Sequence, residues 1–253
     1  MGLLDHKTAV ITGANSGIGL ATAQRFLDEG ARRVFITGRR QAELDHAAKQ
    51  LGPRATAVPG DVGSPADLDR LYAEVAAAGN NLDIVMANAG STRVARLGEI
   101  TDDDLDVLLT TNVKGVVHTV QKALPLLNDG ASIILTGSTT ADRGRAGLSI
   151  YAATKAAVRS LARAWASELA DRNIRVNVIV AGSTATPGSD TLAAQTDPDA
   201  SVDEFRAGRI ATIPLGRFAD PTEIANAAVF LASDLSSFST GSTVTADGGF
   251  NQV

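Results

Sequence analysis

Cysteine is absent from this chain of 253 residues. Without thiols the protein has no disulfide bond, no thiolate nucleophile and no cysteine-ligated metal, and the composition favours a reducing compartment, the cytoplasm. Long apolar runs are also missing, because no stretch approaches the ~18 apolar residues that a membrane span needs. Residues 1–7 lack the apolar centre of a signal peptide. We therefore expect a cytoplasmic protein with no membrane partner.

Histidine and clustered positive charge are also scarce. The three histidines, His6, His46 and His118, show no metal-ligand spacing, so we expect no metal site. The net charge is −5 and no block of basic residues occurs, which argues against nucleic acid as the main partner.

What the chain does contain is a regular alternation of short apolar runs and helical patterns. The strand-like runs are Thr8–Ile11, Ala31–Thr37, Ala55–Val58, Leu82–Ala87, Ser132–Thr136, Ile174–Val180 and Ser242–Ala246. The helical patterns are a first helix that runs through Leu27, then Gln41–Leu51, Pro65–Ala78, Asp102–Leu127, Tyr151–Asp171 and Pro221–Ser233. This order predicts right-handed crossovers and an α/β fold, a doubly wound Rossmann sheet of seven parallel strands with helices on both faces.

The segment from Gly182 to Ile213 does not follow this alternation. It is rich in Ser, Thr, Ala, Asp and Pro, and a connection of about thirty residues in a compact domain is usually a functional lid or a disordered insert. No linker or internal repeat divides the chain. We expect a single domain over residues 1–253, with a lid over approximately residues 182–213.

A glycine-rich turn joins the first strand to the first helix. Gly13, Gly17 and Gly19 have G-x3-G-x-G spacing, and no Gly-Lys-Ser/Thr follows, so this is not a Walker loop. Glycines let the backbone come close to a bound group, while the new helix points free amides and its positive end at an anion. The turn predicts a pyrophosphate site, with an ordinary tight turn as the alternative.

Small and polar residues follow several of the predicted strands. Asp61 and Val62 follow the third strand, Asn88-Ala89-Gly90 the fourth, Ser138 the fifth and Ala181-Gly182 the sixth. Each alone can be a cap or turn residue. Because the carboxyl ends of parallel strands meet at one edge, where ligands bind, we expect these residues to line one rim.

Tyr151 and Lys155 are four residues apart near the start of a predicted helix, so their side chains share one face. A free tyrosine has a pKa near ~10, and an adjacent ammonium lowers that pKa by favouring the phenolate. The alternative is a surface tyrosine beside a solvated lysine. Ser138 favours an acid/base site because it can hydrogen-bond the same substrate oxygen, and the Asn112 side chain could reach a backbone group or a water near Lys155.

Together these motifs resemble the short-chain dehydrogenase/reductase family over essentially the whole chain. The resemblance implies an oxidoreductase that moves hydride between a nicotinamide cofactor and a carbonyl or secondary alcohol. Asn88, Ala89 and Gly90 match its central-strand motif. The residues that match its cofactor loop are Gly13, Asn15, Ser16, Gly17, Ile18 and Gly19.

Asn112, Ser138, Tyr151 and Lys155 match the catalytic tetrad of that family. The resemblance implies that Tyr151 exchanges a proton with the substrate oxygen and that Ser138 holds this oxygen. Lys155 would bind the nicotinamide ribose and lower the tyrosine pKa. Asn112 would hold a water of the proton relay.

The sixth strand marks a departure from the family pattern. Many members have Pro-Gly where this chain has Ala181-Gly182, so we expect the start of the lid to be less constrained. Thr184 and Thr186 resemble the family's turn near the nicotinamide carboxamide. Asp61 and Val62 match the position that contacts the adenine.

The end of the second strand predicts a preference for NADP(H). Enzymes that take NAD place an Asp or Glu there for the ribose 2′-hydroxyl, whereas this chain has Arg39 and Arg40 and no acid before Glu43. A pair of solvated arginines is the alternative. Four stretches resemble bacterial NADP-dependent secondary-alcohol dehydrogenases and carbonyl reductases in particular: Thr8–Phe26, Phe35–Arg40, Val120–Leu127 and Ala156–Trp165.

The leading interpretation is an NADP(H)-dependent enzyme that interconverts ketones or aldehydes and secondary alcohols. A 3-oxoacyl thioester reductase is an alternative, with Arg159 and Arg163 available for carrier docking unless they form helix-face salt bridges. A non-catalytic nucleotide sensor is another, although it has no need of the tyrosine, lysine and serine together. The candidate substrate-pocket residues are Thr140, Arg145, Leu148, Ser149 and the lid.

The two long predicted helices also point to self-association. Their apolar residues exceed what one-sided burial needs, and the family pairs them between subunits, so we expect a homotetramer. The candidates for the shared face are Val107, Leu108, Val116, Leu161 and Trp165.

Overall fold

The computed structural model describes residues 2–79, 81–197 and 199–253, and these form a sheet of seven parallel strands. The strands are β1 (Thr8–Thr12), β2 (Arg33–Gly38), β3 (Ala55–Pro59), β4 (Leu82–Ala87), β5 (Leu127–Ser138), β6 (Arg175–Ala181) and β7 (Thr243–Ala246). Their order is β3-β2-β1-β4-β5-β6-β7. The direction of winding reverses between β1 and β4, and in such sheets a crevice opens at that point beyond the carboxyl ends of the strands.

Helices cover both faces of the sheet, which confirms the predicted fold class. They are α1 (Gly17–Asp28), α2 (Gln41–Leu51), α3 (Pro65–Ala77), α4 (Asp102–Leu109), α5 (Gly115–Ala123), α6 (Ser149–Glu168), α7 (Pro187–Thr196), α8 (Val202–Ile210) and α9 (Pro221–Ala232). In the described residues, no helix has the length and apolar character that crossing a bilayer requires.

The two faces of the sheet form two apolar cores because successive side chains of a strand point to opposite sides. On β1, Ala9 and Ile11 are buried with α1, α2 and α9, while Val10 is buried with α3, α5 and α6. A strand buried on both faces needs a continuous apolar run, which explains why the strand-like runs were recognisable in the sequence.

The single helix predicted over Asp102–Leu127 is wrong. A π-helical turn, Thr110–Lys114, separates α4 from α5, and Leu127 already pairs with Leu82 as the first residue of β5. The α5 helix also packs tightly on the chain after β3, because a Cβ on Gly115 would lie 2.7 Å from Val62 Cγ2. Apolar periodicity continues across the turn, so it gives no sign of the interruption.

The lid segment contains two helices, which the sequence reasoning missed. Reciprocal capping boxes begin them, with Thr186 and Ser189 at the start of α7 and Ser201 and Glu204 at the start of α8. Such boxes supply hydrogen-bond partners for amides that a helix start leaves unpaired. Few apolar residues are buried in these helices, and Ala193 is the one buried residue of α7.

We predict that α7 and α8 open more readily than the rest of the fold, because segments with little buried apolar surface have low local stability. Their amides should exchange with solvent faster than those of α9, whose apolar residues are buried along its length. A ligand bound beneath this segment should slow that exchange. Hydrogen–deuterium exchange with mass spectrometry measures both effects, and equal exchange with and without ligands would contradict a lid.

Candidate active site

A cleft of about 670 Å³ opens at the carboxyl ends of the strands. It runs from the turn after β1, past the ends of the central strands and the start of α6, to the lid helices. Most of the residues proposed from the sequence line it: Gly13, Asn15, Ser16, Gly17, Ile18, Arg39, Arg40, Asp61, Val62, Asn88, Ala89, Gly90, Ser138, Tyr151, Lys155, Gly182, Thr184 and Thr186. Gly19 and Asn112 lie behind this surface.

The glycine turn has a backbone that other residues could not adopt without strain. Gly13 and Gly17 have φ values of 64° and 56°, and a Cβ on Gly13 would lie 2.8 Å from Ala89 Cα. The helix α1 begins at Gly17, its N-cap Ser16 makes no side-chain capping bond and its first turn holds no acidic residue. The first amides of α1 therefore face the cleft without a side-chain acceptor, as an anion site requires.

Asn88 holds the glycine turn in place from the neighbouring strand. Its Nδ2 donates to the carbonyl oxygens of Thr12 and Gly13 at 3.0 and 3.2 Å. The backbone amides of Asn88 and Ala89 both donate to Thr12 Oγ1 at 3.0 Å. Glycine is also needed at position 19 for the turn to pack against α1, because a Cβ on Gly19 would lie 2.4 Å from the Gly13 carbonyl oxygen. The side chain of Asn88 thus supports the turn, and its backbone lines the cleft.

Tyr151 and Ser138 both line the cleft. Ser138 is the last residue of β5, and Tyr151 lies in the first turn of α6. Burial raises the pKa of Tyr151 above its ordinary value, and the Ser138 hydroxyl offsets only part of that rise. The net shift is upward because desolvation outweighs the interaction that favours the phenolate. A lowering of the Tyr151 pKa by Lys155 stays a prediction.

Lys155 lies one helical turn beyond Tyr151 and is buried. Its Nζ donates to the carbonyl oxygen of Thr136 at 2.8 Å and lies 5.7 Å from the centre of the Tyr151 ring. Burial lowers the Lys155 pKa to about 8, since an ammonium loses hydration in the interior. No carboxylate of the described residues pairs with this lysine.

Asn112 is fully buried in the π-helical turn and bonds to protein groups. Its Oδ1 accepts from the Ser91 amide at 2.8 Å, and its Nδ2 donates to the Ser91 carbonyl oxygen and to Thr154 Oγ1 at 2.9 and 3.1 Å. These bonds fix the chain after β4 against α6. The residue before Ser91, Gly90, borders the lysine, because a Cβ there would lie 3.6 Å from Lys155 Nζ. By holding Ser91, Asn112 therefore also fixes the backbone beside Lys155.

The two arginines after β2 have different partners. Arg40 Nε donates to Glu43 Oε1 at 2.5 Å, and Glu43 also accepts from Asn15 Nδ2 at 2.8 Å. The hydrogen bond from Arg40 is the main reason that the Glu43 pKa lies below its usual range. Arg39 has a looser partner, with its Nη1 3.8 Å from Asp61 Oδ2 and its side chain 63% exposed. Arg39 is therefore the freer cation at this end of the cleft.

The sheet holds the start of the lid segment, and the looser start expected from the missing proline stays a prediction. Ala181 still pairs with Ser138 and Ala246, and the Gly182 amide donates to the Ala246 carbonyl oxygen at 2.9 Å. A Cβ on Gly182 would lie 2.5 Å from the backbone of Asp247, so this position requires glycine.

The side chains of Thr184 and Thr186 form hydrogen bonds with the backbone of the lid segment. Thr184 Oγ1 donates to the Gly182 carbonyl oxygen at 3.0 Å, and Thr186 Oγ1 accepts from the Ser189 amide at 3.1 Å. The Thr186 methyl group also lies against the glycine turn, 3.1 Å from where a Cβ of Gly17 would be. The lid segment thus packs against the glycine turn.

The sequence reasoning placed the lid at the pocket but did not identify its cleft residues, and it missed two others. The cleft residues of the lid include Gln195, Phe205 and Arg209, and the missed ones are Arg93, after β4, and Phe218, after the lid. The capping signature Ser201–Glu204 could have revealed α8, but it could not show which side of α8 faces the cleft. Among the residues that the structure describes, no group of three His, Asp or Glu side chains could hold a metal ion.

Comparisons with known proteins agree on one family. Residues 13–251 match a family model described as enoyl-(acyl carrier protein) reductase. The chain is 48% identical to Oxidoreductase asL5 of Sarocladium schorii, over 99% of this chain and 98% of that protein. It is 36% identical to the 3-oxoacyl-[acyl-carrier-protein] reductase FabG of Thermotoga maritima, over 97% and 98%. A crystal structure of a short-chain dehydrogenase/reductase (glucose/ribitol dehydrogenase) from Brucella melitensis superimposes with a TM-score of 0.91 at 31% identity, covering 100% of both chains.

We predict that Lys155→Met changes how stability depends on pH. The folded pKa of about 8 lies below the ordinary 10.5, so between those values the unfolded chain binds more protons and stability rises with pH. The free energy of unfolding of the wild type relative to Lys155→Met should increase by on the order of 2 kcal/mol between about pH 7 and pH 10. Denaturant unfolding measures it, with exposed Lys49→Met as the control. Parallel pH profiles for the wild type and Lys155→Met would contradict the prediction.

Proposed function

Because the chain belongs to the short-chain dehydrogenase/reductase family of oxidoreductases, we propose that it is an NADP(H)-dependent enzyme that interconverts ketones and secondary alcohols, or aldehydes and the corresponding primary alcohols. One observation carries the proposal: the hydroxyls of Ser138 and Tyr151 line the same cleft as the glycine turn, with Lys155 beside Tyr151. A carbonyl oxygen placed there meets two hydroxyl donors.

The glycine turn fits a dinucleotide. The positive φ values of Gly13 and Gly17, and the first amides of α1, form a cradle for a pyrophosphate. When bound, the nicotinamide cofactor supplies or accepts the hydride. A cleft of about 670 Å³ is of the size that small-molecule and cofactor sites usually have.

The tyrosine is suited to act as the acid in the direction of carbonyl reduction. Burial keeps the Tyr151 phenol protonated at neutral pH, so it can donate its proton to the carbonyl oxygen as that oxygen gains charge. Ser138 holds the same oxygen by a second hydrogen bond. The Lys155 ammonium, 5.7 Å from the centre of the tyrosine ring, then stabilises the phenolate that remains.

Reduction of a carrier-bound 3-oxoacyl thioester is a second candidate function. The name of the Thermotoga maritima relative supports it. Against it, Arg159, one of the two arginines suggested for carrier docking, forms an ion pair with Asp142. A non-catalytic nucleotide sensor is not favoured, because the family consists of oxidoreductases and the tyrosine, serine and lysine are assembled in one cleft.

A substrate screen separates these functions. The purified protein is assayed with NADPH and with NADH against aliphatic, aryl and cyclic ketones, and against a 3-oxoacyl thioester. Turnover of free ketones supports the proposed function. Turnover of the thioester alone would support the second candidate instead, and no turnover of any carbonyl compound would contradict both.

We predict that Tyr151→Phe reduces turnover by at least ~10²-fold, because general acid catalysis typically supplies ~10² to 10⁴-fold. The ring remains, so cofactor affinity should change little. Tyr72→Phe is a matched control, since the Tyr72 hydroxyl donates to the Thr119 carbonyl oxygen at 2.6 Å and lies outside the cleft. It should lose ~1 kcal/mol of stability and keep its activity. Activity above a tenth of wild type in Tyr151→Phe would exclude the tyrosine as the acid.

We predict that the enzyme prefers NADPH and that Arg39 recognises the 2′-phosphate. Arg39→Ala should weaken NADPH binding by on the order of tenfold to a hundredfold, since a charge-assisted hydrogen bond contributes ~1.5 to 3 kcal/mol. NADH binding should change little. Arg40→Ala, which removes an arginine already paired with Glu43, should have a smaller effect. Titration of cofactor fluorescence measures the binding of NADPH and NADH by the wild type and by both variants. Equal weakening of both cofactors by Arg39→Ala would contradict the assignment.

The proposal also includes one domain with a mobile lid, a cytoplasmic location and a homotetramer. The suggested shared face needs correction, because Leu108 and Val116 are 1% and 4% exposed within the single chain and belong to its core. Leu109, which is 42% exposed on α4, together with the partly exposed Leu161 and Trp165 on α6, is a better candidate surface. Light scattering of the purified protein gives the mass of the assembly.

A further inference from the structure

Two arginines at the substrate end of the cleft have no carboxylate partner. Arg145 lies between β5 and α6, Arg209 lies on α8, and both are partly buried and line the cleft with Tyr151 and Ser138. Within the described residues neither forms an ion pair. Partly buried cations without a counter-charge are uncommon, because leaving water costs energy that only a partner recovers.

The other arginines of the cleft are each paired. Arg39 and Arg40 face Asp61 and Glu43 at the nucleotide end. Arg93 Nη2 lies 3.6 Å from Asp103 Oδ2. In a protein with a net charge of −5, carboxylates are available for such pairing, and their absence around Arg145 and Arg209 is a local feature of the substrate end.

The two guanidinium groups are held by aromatic rings. The Arg145 Cζ lies 5.6 Å from the centre of the Phe205 ring, and the Arg209 Cζ lies 4.8 Å from that of Phe250. Arg209 Nη2 also donates to Ser183 Oγ at 3.3 Å. Contact through the flat face of a guanidinium leaves N–H groups at its edge free for an anion.

These cations also repel each other. Burial, and then the charges of Arg145 and Arg143, lower the pKa of Arg209, although a guanidinium remains charged at any pH of interest. The Arg143 guanidinium lies over the same Phe250 ring, with its Cζ 4.6 Å from the ring centre. A bound anion would relieve this repulsion, and a carboxylate can accept two hydrogen bonds from one guanidinium.

We propose that the substrate is a carboxylate-bearing ketone or alcohol, an oxo acid or hydroxy acid whose carboxylate is bound by Arg145 and Arg209. This inference rests on the proposed function of the cleft and specifies its substrate class. The cofactor does not account for these arginines, because its phosphates belong at the start of α1 and at Arg39, whereas Arg145 and Arg209 border the Ser138–Tyr151 end.

The first test compares acids with their esters. Acetoacetate and levulinate are assayed against methyl acetoacetate and methyl levulinate, so that each pair differs in the negative charge and in one methyl group. We expect kcat/KM to be on the order of tenfold to a hundredfold higher for the acid of at least one pair, because one charge-assisted hydrogen bond contributes a factor of about that size. Equal or higher values for both esters overturn the inference, while turnover of the esters keeps the proposed function.

The second test uses variants of the two arginines. In Arg145→Gln and Arg209→Gln the ratio of kcat/KM for acid over ester should fall towards one, mainly through a higher KM for the acid, and Arg145→Lys should retain part of the preference. Arg96→Gln is the matched control, since Arg96 is exposed and lies outside the cleft, and it should leave the ratio unchanged. A ratio that survives in both variants overturns the assignment.

The third test does not depend on turnover. Benzoate and uncharged benzamide are titrated into the wild type and into the Arg145→Gln/Arg209→Gln double variant by calorimetry. Tighter binding of benzoate than of benzamide, lost in the double variant, supports the anion site even if no carbonyl compound is reduced, in which case the proposed function alone has failed. Equal binding of benzoate to both proteins overturns the inference.

Discussion

The site depends on a small set of partly buried hydrogen bonds between β1, β4 and β5. Thr12 Oγ1 accepts two backbone amides from the end of β4, and Asn88 Nδ2 donates to two carbonyl oxygens of the glycine turn. Asn88 Oδ1 in turn accepts from Thr136 Oγ1 on β5 at 3.3 Å. These bonds satisfy the polar groups that the turn exposes where the sheet opens, and an unpaired buried polar group would cost ~1–3 kcal/mol. Without them the positive-φ glycines would have no fixed position.

The same strand ends determine the chemistry of the central groups. Thr136, whose hydroxyl bonds to Asn88, also accepts a hydrogen bond from Lys155 Nζ through its carbonyl oxygen. Ser138 lies two residues further along β5. Burial then acts on Lys155 and Tyr151 in opposite directions along the pH scale: it lowers the lysine pKa to about 8 and raises the tyrosine pKa. Both shifts favour the neutral form of each group. The protein therefore holds a protonated phenol beside an ammonium that loses its proton more readily than a surface lysine does.

The charges along the cleft form two different environments. At the nucleotide end Arg39 and Arg40 have acidic neighbours, and exposed pairs of that kind contribute little because water screens them. At the substrate end Arg145 and Arg209 are held over aromatic rings without an acidic neighbour. An anionic group of a ligand would therefore be bound more strongly by Arg145 and Arg209 than by Arg39 and Arg40, because less water competes at the partly buried arginines.

The sequence by itself determined the number of strands and their succession along the chain, the glycine turn and the candidate residues Ser138, Tyr151 and Lys155, because these depend on local periodicity and on residues at strand ends. Only the tertiary structure decided the remaining features. The interruption of the helix at Asn112, the direction of the Tyr151 pKa shift and the approach of Arg209 to Arg145 all depend on contacts between residues far apart in the chain. Desolvation and ion pairing are set by which groups surround a side chain, and no spacing along the sequence encodes that.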